Sequence, residues 1–250
     1  MKIKNLIKKF IPNFALNKYR ILKYKNKYKS IDKLSLKDKF SHIYQNQLWN
    51  QNKISQKFFS GSGTYNKKVL EAYYKIIKKL SLKNKNLSVA DLGCGDFYVG
   101  RRLYPMVQKY YAIDIVKNLI IFNKKKFRSK KIIFLNLDLT NDILPNADIG
   151  IIRQVLQHLS NSNIKKIIDN INNKYKFLII TEHYPSKKRF NANLNIFDGP
   201  GTRMILKSGV VLHKSPFNLK FKNKRHLLTC EATPDAGFIV TTLYELKKSL

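Results

Sequence analysis

VADLGCGDFYVG, residues 89–100, is the stretch on which the fold turns. It reads as a buried apolar strand that runs into Gly93 and Gly95 and then directly into a helix. Glycine has no Cβ, so the backbone can bend sharply there and come close to a ligand. The start of the following helix offers N–H groups with no partner inside the helix.

The surrounding sequence keeps alternating between the two periods. LSVADLG is the first strand, VGRRLYPMVQ (99–108) predicts a helix, and YYAIDI (110–115) a second strand. Residues 117–127 read as a helix, then IIFLNLDL (132–139) and DIGIIRQV (148–155) as strands three and four. NIKKIIDNINN (163–173) is a helix with Asn163 near its start, and KFLIITEHY (176–184) a fifth strand. Nearly continuous apolar strands separated by helices are the mark of a parallel sheet covered on both faces. Upstream, FFSGSGTYN (58–66) is a Gly/Ser turn, in which Ser60 to Thr64 either folds over a ligand or simply leads into the helix VLEAYYKIIKKL (69–80). Downstream, residues 186–225 show no clear periodicity. HLLTCEA (226–232) and GFIVTTLYEL (237–246), joined by TPDAG, predict a terminal antiparallel hairpin.

Spacing decides which ligand suits the bend. A dinucleotide fingerprint would need glycine at position 98, which is Tyr98. An acid, Asp91, stands two residues before Gly93 instead, and it suits a ligand with cationic groups and no phosphate. S-adenosylmethionine has an ammonium, a sulfonium and no phosphate. Asp114 ends the second strand about 20 residues beyond the bend, where an acid accepts hydrogen bonds from ribose hydroxyls. Asp138 ends the third strand, where it and the amide of Leu139 can meet an adenine edge.

On DLGCG, Asp114 and Asp138, in that order, the chain resembles class I S-adenosylmethionine-dependent methyltransferases, over residues 60–185 and on to residue 250. The resemblance implies an α/β, Rossmann-like fold: a seven-stranded, mostly parallel sheet with a C-terminal antiparallel hairpin and helices on both faces. It implies one such domain over residues 41–250, in which 186–225 covers the substrate. It also implies that Asp91, Gly93 and Gly95 line the methionine part of the cofactor, Asp114 the ribose and Asp138 the adenine. Asp96 departs from the pattern, because many members carry a further glycine there. More narrowly, RQVLQHLSN (153–161) and TEHYP (181–185) resemble pieces of bacterial methyltransferases from polysaccharide and sugar gene clusters.

Ligands of an open α/β sheet bind beyond the carboxyl ends of its strands. The polar residues expected there are Arg153, Gln154, Gln157 and His158 after strand four, and Glu182 and His183 after strand five. A hydroxyl nucleophile benefits from a general base, and histidine titrates in the right range. His158 is the first choice, the other reading being a histidine that caps the following turn. His183 is second, with Glu182 orienting it or binding acceptor hydroxyls. Arg153 either holds an anionic group of the acceptor or pairs with a nearby acid, and Gln154 is a further acceptor contact. Arg203 in FDGPGTR (197–203) belongs to a lid or, as a lone loop arginine, to the framework. The expected reaction is O-methylation of a saccharide or other small hydroxyl acceptor. The alternative is methylation of RNA at a ribose or ring nitrogen. Exocyclic-amine methylation is disfavoured because RQVLQH replaces the acidic or amide, double-proline and aromatic tetrapeptide it uses. Neither Cys94 nor Cys230 stands where a carbon-5 pyrimidine nucleophile would, and no dedicated metal cluster is expected.

Composition bounds the rest. At 250 residues and 44% apolar the chain has material for one α/β domain with an appendage. Its net charge of +34 raises the prior for nucleic acid or an anionic surface. Yet only eight of the 49 basic residues are arginine, and the excess is spread along the chain, which reads as a solvated lysine coat. Residues 1–40 form a basic extension with thirteen Lys or Arg against Asp32 and Asp38. Ile3, Leu6, Ile7, Phe10, Ile11 and Phe14 recur at helical spacing until Pro12 interrupts them, so peripheral contact with an anionic membrane is one reading. Two cysteines are too few for a disulfide framework, and no long apolar run predicts a membrane span. The expected location is cytoplasmic, with that peripheral membrane contact as the open addition.

Overall fold

The structure is a computed structural model describing residues 12–50, 55–84, 86–186, 189–232 and 237–247. Seven strands form one sheet in the order β3-β2-β1-β4-β5-β7-β6. They are β1 (Ser88–Leu92), β2 (Lys109–Asp114), β3 (Ile132–Asn136), β4 (Ala147–Arg153), β5 (Tyr175–Tyr184), β6 (Phe221–Glu231) and β7 (Phe238–Leu246). The first five are parallel, whereas β7 runs antiparallel between β5 and β6. The expected fold class and terminal hairpin are therefore present. Residues 233–236 of the expected hairpin turn lie outside the described residues.

Strand order reverses at β1, which pairs with β2 on one side and β4 on the other. The crevice of a doubly wound sheet opens at such a reversal, beyond the carboxyl ends. Asp91 near the end of β1 and Arg153 at the end of β4 meet there.

The helices are α1 (Asn13–Lys27), α2 (Lys29–Asp32), α3 (Leu36–Gln45), α4 (Lys67–Lys83), α5 (Gly100–Leu103), α6 (Lys117–Lys126) and α7 (Asn161–Ile171). α7 starts where the Ser160 hydroxyl accepts the Asn163 N–H, at 3.4 Å, and it buries Ile164, Ile167 and Ile171 at helical spacing. Those isoleucines join Phe40, Ile43 and Leu119 on one face of the sheet. Tyr73 and Ile77 of α4 pack with Val89, Phe97 and Leu103 on the other. Each such burial contributes about 1.5–3 kcal/mol for an aliphatic side chain.

Two local expectations need correction. The helix expected over 99–108 is one turn, followed by a 3₁₀ turn over Tyr104–Met106, because Pro105 lacks the N–H a continuing helix needs. β6 begins at Phe221, not at 226. Residues 222–226 are exposed on both faces, so the apolar alternation that marks a strand is missing from its first half. In the segment before it, Ile196, Leu206, Val210, Leu212 and Phe217 are buried.

Pro12 stands at the N-terminal cap of α1. The helical pattern expected upstream of it falls on residues 1–11, outside the described residues. Ile31 and Phe40 pack into the same core as Ala90 and Leu92 of β1, so the chain from α2 onward is seated on the sheet. No helix among the described residues is long and apolar enough to cross a membrane.

Candidate active site

A cavity of about 820 Å³ opens at the carboxyl ends of β1, β2 and β4. That volume lies within the range of small-molecule sites, roughly 300–1,000 Å³. Its floor is the bend after β1. Gly93 (φ +90°) and Gly95 (φ +56°) both take backbone angles that a side chain disfavours. A Cβ on Gly93 would also stand 2.4 Å from Cγ2 of Val155. The N–H groups of Gly93 and Cys94 both donate to the Ile113 carbonyl, at 2.9 and 2.8 Å, and tie the bend to β2.

The two acids flank this bend. Asp91 is 6% exposed and accepts the Tyr110 hydroxyl at 2.8 Å. Asp114 accepts the N–H of Gly95 on Oδ2 and that of Val116 on Oδ1, both at 3.0 Å. Burial outweighs these hydrogen bonds and pushes each carboxyl up to about 6. Both line the cavity, and each oxygen of Asp114 keeps a lone pair for a further donor. Asp138 also lines it, but Oδ1 accepts both the N–H and the hydroxyl of Thr140, at 2.8 and 2.7 Å. Its carboxylate therefore shapes the turn after β3, and Leu139, 8% exposed, brings apolar surface to the wall.

Beyond β4 the chain turns through Gln154 (φ +54°), whose N–H donates to the Thr181 carbonyl at 2.7 Å. Arg153 reaches back across the cavity, with Nη2 donating to the Gly63 carbonyl at 3.0 Å. Burial lowers its pKa, opposed by the nearby Tyr73, Asp91 and Asp96. Nε of Arg153 and the Oε1 atoms of Gln154 and Gln157 are buried with no partner within the protein. All three residues line the cavity, so these atoms suit a polar ligand better than an empty apolar site.

His158 closes the 3₁₀ turn Leu156–His158. Its Nδ1 lies 3.0 Å from the Gly201 carbonyl, an acceptor only, so Nδ1 carries the proton and the Nε2 lone pair faces the Gln157 amide N–H at 3.4 Å. Burial lowers the imidazole to about 4, against the pull of the nearby carbonyls. The Trp49 ring lies 5.0 Å away, and its Nε1–H donates to the Pro200 carbonyl at 2.9 Å.

Glu182 and His183 separate. Successive residues of a strand face opposite sides, so only His183 lines the cavity. Glu182 is fully buried beneath the 3₁₀ turn, accepting the N–H groups of Leu156 and Gln157 at 3.1 Å each. It is therefore neither an acceptor contact nor a partner that orients His183. Burial pushes Glu182 up to about 8, opposed by Arg203. Arg203, 1% exposed, holds the other end of the same turn, donating to the carbonyls of Leu159 at 2.7 Å and Leu156 at 3.4 Å and to Asn161 Oδ1. An acid on the N–H side and a guanidinium on the C=O side thus fix the turn that carries Gln157 and His158. Arg203 is a framework residue.

The Gly/Ser loop lies over the bend. Ser60 Oγ accepts the Asp96 N–H at 2.9 Å and pairs with the Tyr44 hydroxyl at 2.9 Å, while Tyr65 donates to the Asp96 carboxylate. Asp96, where the family resemblance expects glycine, thereby holds this loop. Sequence reasoning missed Tyr28, Tyr44 and Trp49, which reach the cavity from α3 and from the turns that flank the N-terminal helices. Their only signal was aromatic residues within an otherwise polar lead-in.

No family model matches the sequence, and no curated protein matches it. The structure resembles the DhpI–SAH complex, with a TM-score of 0.54 and 14% identity over 85% of this chain and 98% of that one. It also resembles magnesium protoporphyrin IX methyltransferase (ChlM) from Synechocystis PCC 6803 with bound SAM, with a TM-score of 0.53 and 14% identity over 86% of this chain and 98% of that one. At these identities the likeness speaks to the fold. Neither comparison carries the narrower resemblance to sugar-cluster methyltransferases.

Proposed function

From a chain that has the class I S-adenosylmethionine-dependent methyltransferase fold, we propose an enzyme that binds S-adenosylmethionine in the cavity beyond β1 and β4 and methylates a hydroxyl of a saccharide or similar small acceptor. The observation that carries this reading is the side-chain-free bend at Gly93 and Gly95, facing a cavity of about 820 Å³ between two buried acids, Asp91 and Asp114. A cationic, phosphate-free ligand suits that charge. When bound, S-adenosylmethionine supplies a methyl group on a positively charged sulfur that departs as a neutral thioether.

The chain's own residues have separable parts. Asp91 and the bend hold the aminoacyl end, Asp114 takes ribose hydroxyls, and the turn at Asp138 and Leu139 meets the adenine. Gln154, Gln157 and Arg153 offer polar atoms to the acceptor. His158 Nε2 accepts the hydroxyl proton. With its pKa near 4 it is a weak base, so it takes the proton only as the oxygen–carbon bond forms. His183 stands as a second base on the same cavity.

The net charge of +34 supports a second reading, methylation of RNA. Calorimetry on the full chain with S-adenosylmethionine, followed by a labelled-methyl screen over nucleotide sugars, glycans and RNA, separates the two. The expected result is saturable binding, a loss of at least about tenfold in Asp114→Ala, and label in a saccharide. His158→Gln should slow transfer about 10²-fold with unchanged cofactor affinity. Absence of binding removes the enzyme reading. Label in RNA, with affinity falling steeply as salt rises, replaces the saccharide.

A further inference from the structure

We propose that the outward face of α1 docks the protein on an anionic lipid surface. Along α1, Phe14, Lys18, Leu22 and Asn26 form one row at helical spacing, with Tyr19 and Lys23 beside it. Phe14 is 76%, Tyr19 63% and Leu22 51% exposed. The opposite face is spoken for by Tyr24, which is 9% exposed and whose hydroxyl accepts the Gly201 N–H at 2.9 Å. On the outward side, three residues after Leu22, Lys25 pairs with Asp32 at 3.4 Å and lies over the Phe197 ring, which leaves Lys18 and Lys23 as the cations beside the exposed apolar residues. α1 carries five cations and no acid.

A helix with cations flanking an aromatic and aliphatic strip lies in the plane of a membrane interface. Its lysine stems reach the headgroups and its apolar side chains sink just below them. Tyrosine is well placed there, with an apolar ring and a polar tip. Phe14 and Tyr19 can also stack on bases, but Leu22, 51% exposed between them, offers a base neither a stacking surface nor a hydrogen bond, whereas a lipid interface uses all three. The chain immediately before α1 continues the pattern in sequence, with Lys2, Lys4, Lys8 and Lys9 and no acid through residue 11. Because Tyr24 holds Gly201, and Gly201 also accepts His158 Nδ1–H, one helix width of about 10 Å separates the lipid face from the wall of the cavity.

The test is co-sedimentation of the full chain with extruded vesicles, phosphatidylcholine alone against the same lipid with about 30 mol% phosphatidylserine. The expected outcome is at least about tenfold stronger partition onto the anionic vesicles. The charge-neutral triple variant Phe14→Ser, Tyr19→Ser, Leu22→Ser should lose at least about tenfold of it. Lys18→Glu with Lys23→Glu should lose a comparable amount, and circular dichroism melts should match the parent chain, since all five residues are exposed. Unchanged partition of the triple-serine variant would overturn the proposal and leave only the general lysine coat. So would equal partition onto both vesicle types. Loss of single-stranded RNA binding in that variant with vesicle binding intact would overturn it in favour of a nucleic-acid surface.

Discussion

Gly93 carries two constraints at once, a left-handed backbone and the Val155 methyl 2.4 Å from where a Cβ would stand. Gly93→Ala should therefore cost about 1–3 kcal/mol in chemical denaturation and weaken cofactor binding measured by calorimetry. Adding Val155→Ala should recover the packing part only, because the strain at φ remains. His158 gives a prediction with a definite sign. Its folded pKa, about 4, lies below the ordinary value of 6.5, so the unfolded chain binds the proton more readily. The stability it contributes is present above pH 6.5 and is lost as pH falls toward 4. The parent chain should lose roughly 1–3 kcal/mol more than His158→Gln across that window, in urea unfolding at a series of pH values. At this scale the sequence was legible wherever a residue's place follows from its distance to the bend, as for Asp91, Gly93, Gly95 and Asp114, which all line the cavity. It was not legible where a side chain turns back on its own backbone, as Asp138 does, or where strand alternation turns it from the cavity to lie beneath the 3₁₀ turn, as for Glu182.

The 3₁₀ turn Leu156–His158 is held from both ends by two buried side chains. Glu182 holds its N–H groups and Arg203 its carbonyls, both fully or almost fully buried. Arg203→Met leaves the buried carbonyls of Leu156 and Leu159 without their donor and should lower stability by about 1–3 kcal/mol, read from the urea midpoint. The double variant with Glu182→Gln should cost less than the sum of the two singles, since both groups hold the same turn. Among elements, β1 to β5 were readable because strands covered on both faces are apolar throughout. α5 was over-read because the periodic residues continue past a proline that ends the hydrogen bonding. The first half of β6 was invisible because an edge strand solvated on both sides looks like a loop. The N-terminal helices and their aromatic side chains reach the cavity only through tertiary packing, which no local period announces.

The whole molecule opens its cavity at the reversal of strand order, and the terminal pair β7 and β6 extends the sheet on the β5 side, away from the cavity floor. The positive coat of +34 acts over longer distances and is screened by salt within about 10 Å at 0.1 M. Transfer to a neutral saccharide should accordingly change less than about twofold between 50 and 200 mM salt, whereas RNA binding would fall by orders of magnitude.

The loop from Ser60 to Tyr65 has one more effect, on timing. With Asp96, Tyr44 and Arg153 all fastened to it, the loop would, under the proposed function, have to loosen before spent donor is exchanged. Turnover should then begin with a rapid burst of product equal to the enzyme present, followed by a slower steady rate set by exchange. Rapid quenching should resolve the two phases. Tyr65→Phe, which removes one fastening and leaves the reacting groups in place, should raise the slow phase and leave the burst untouched.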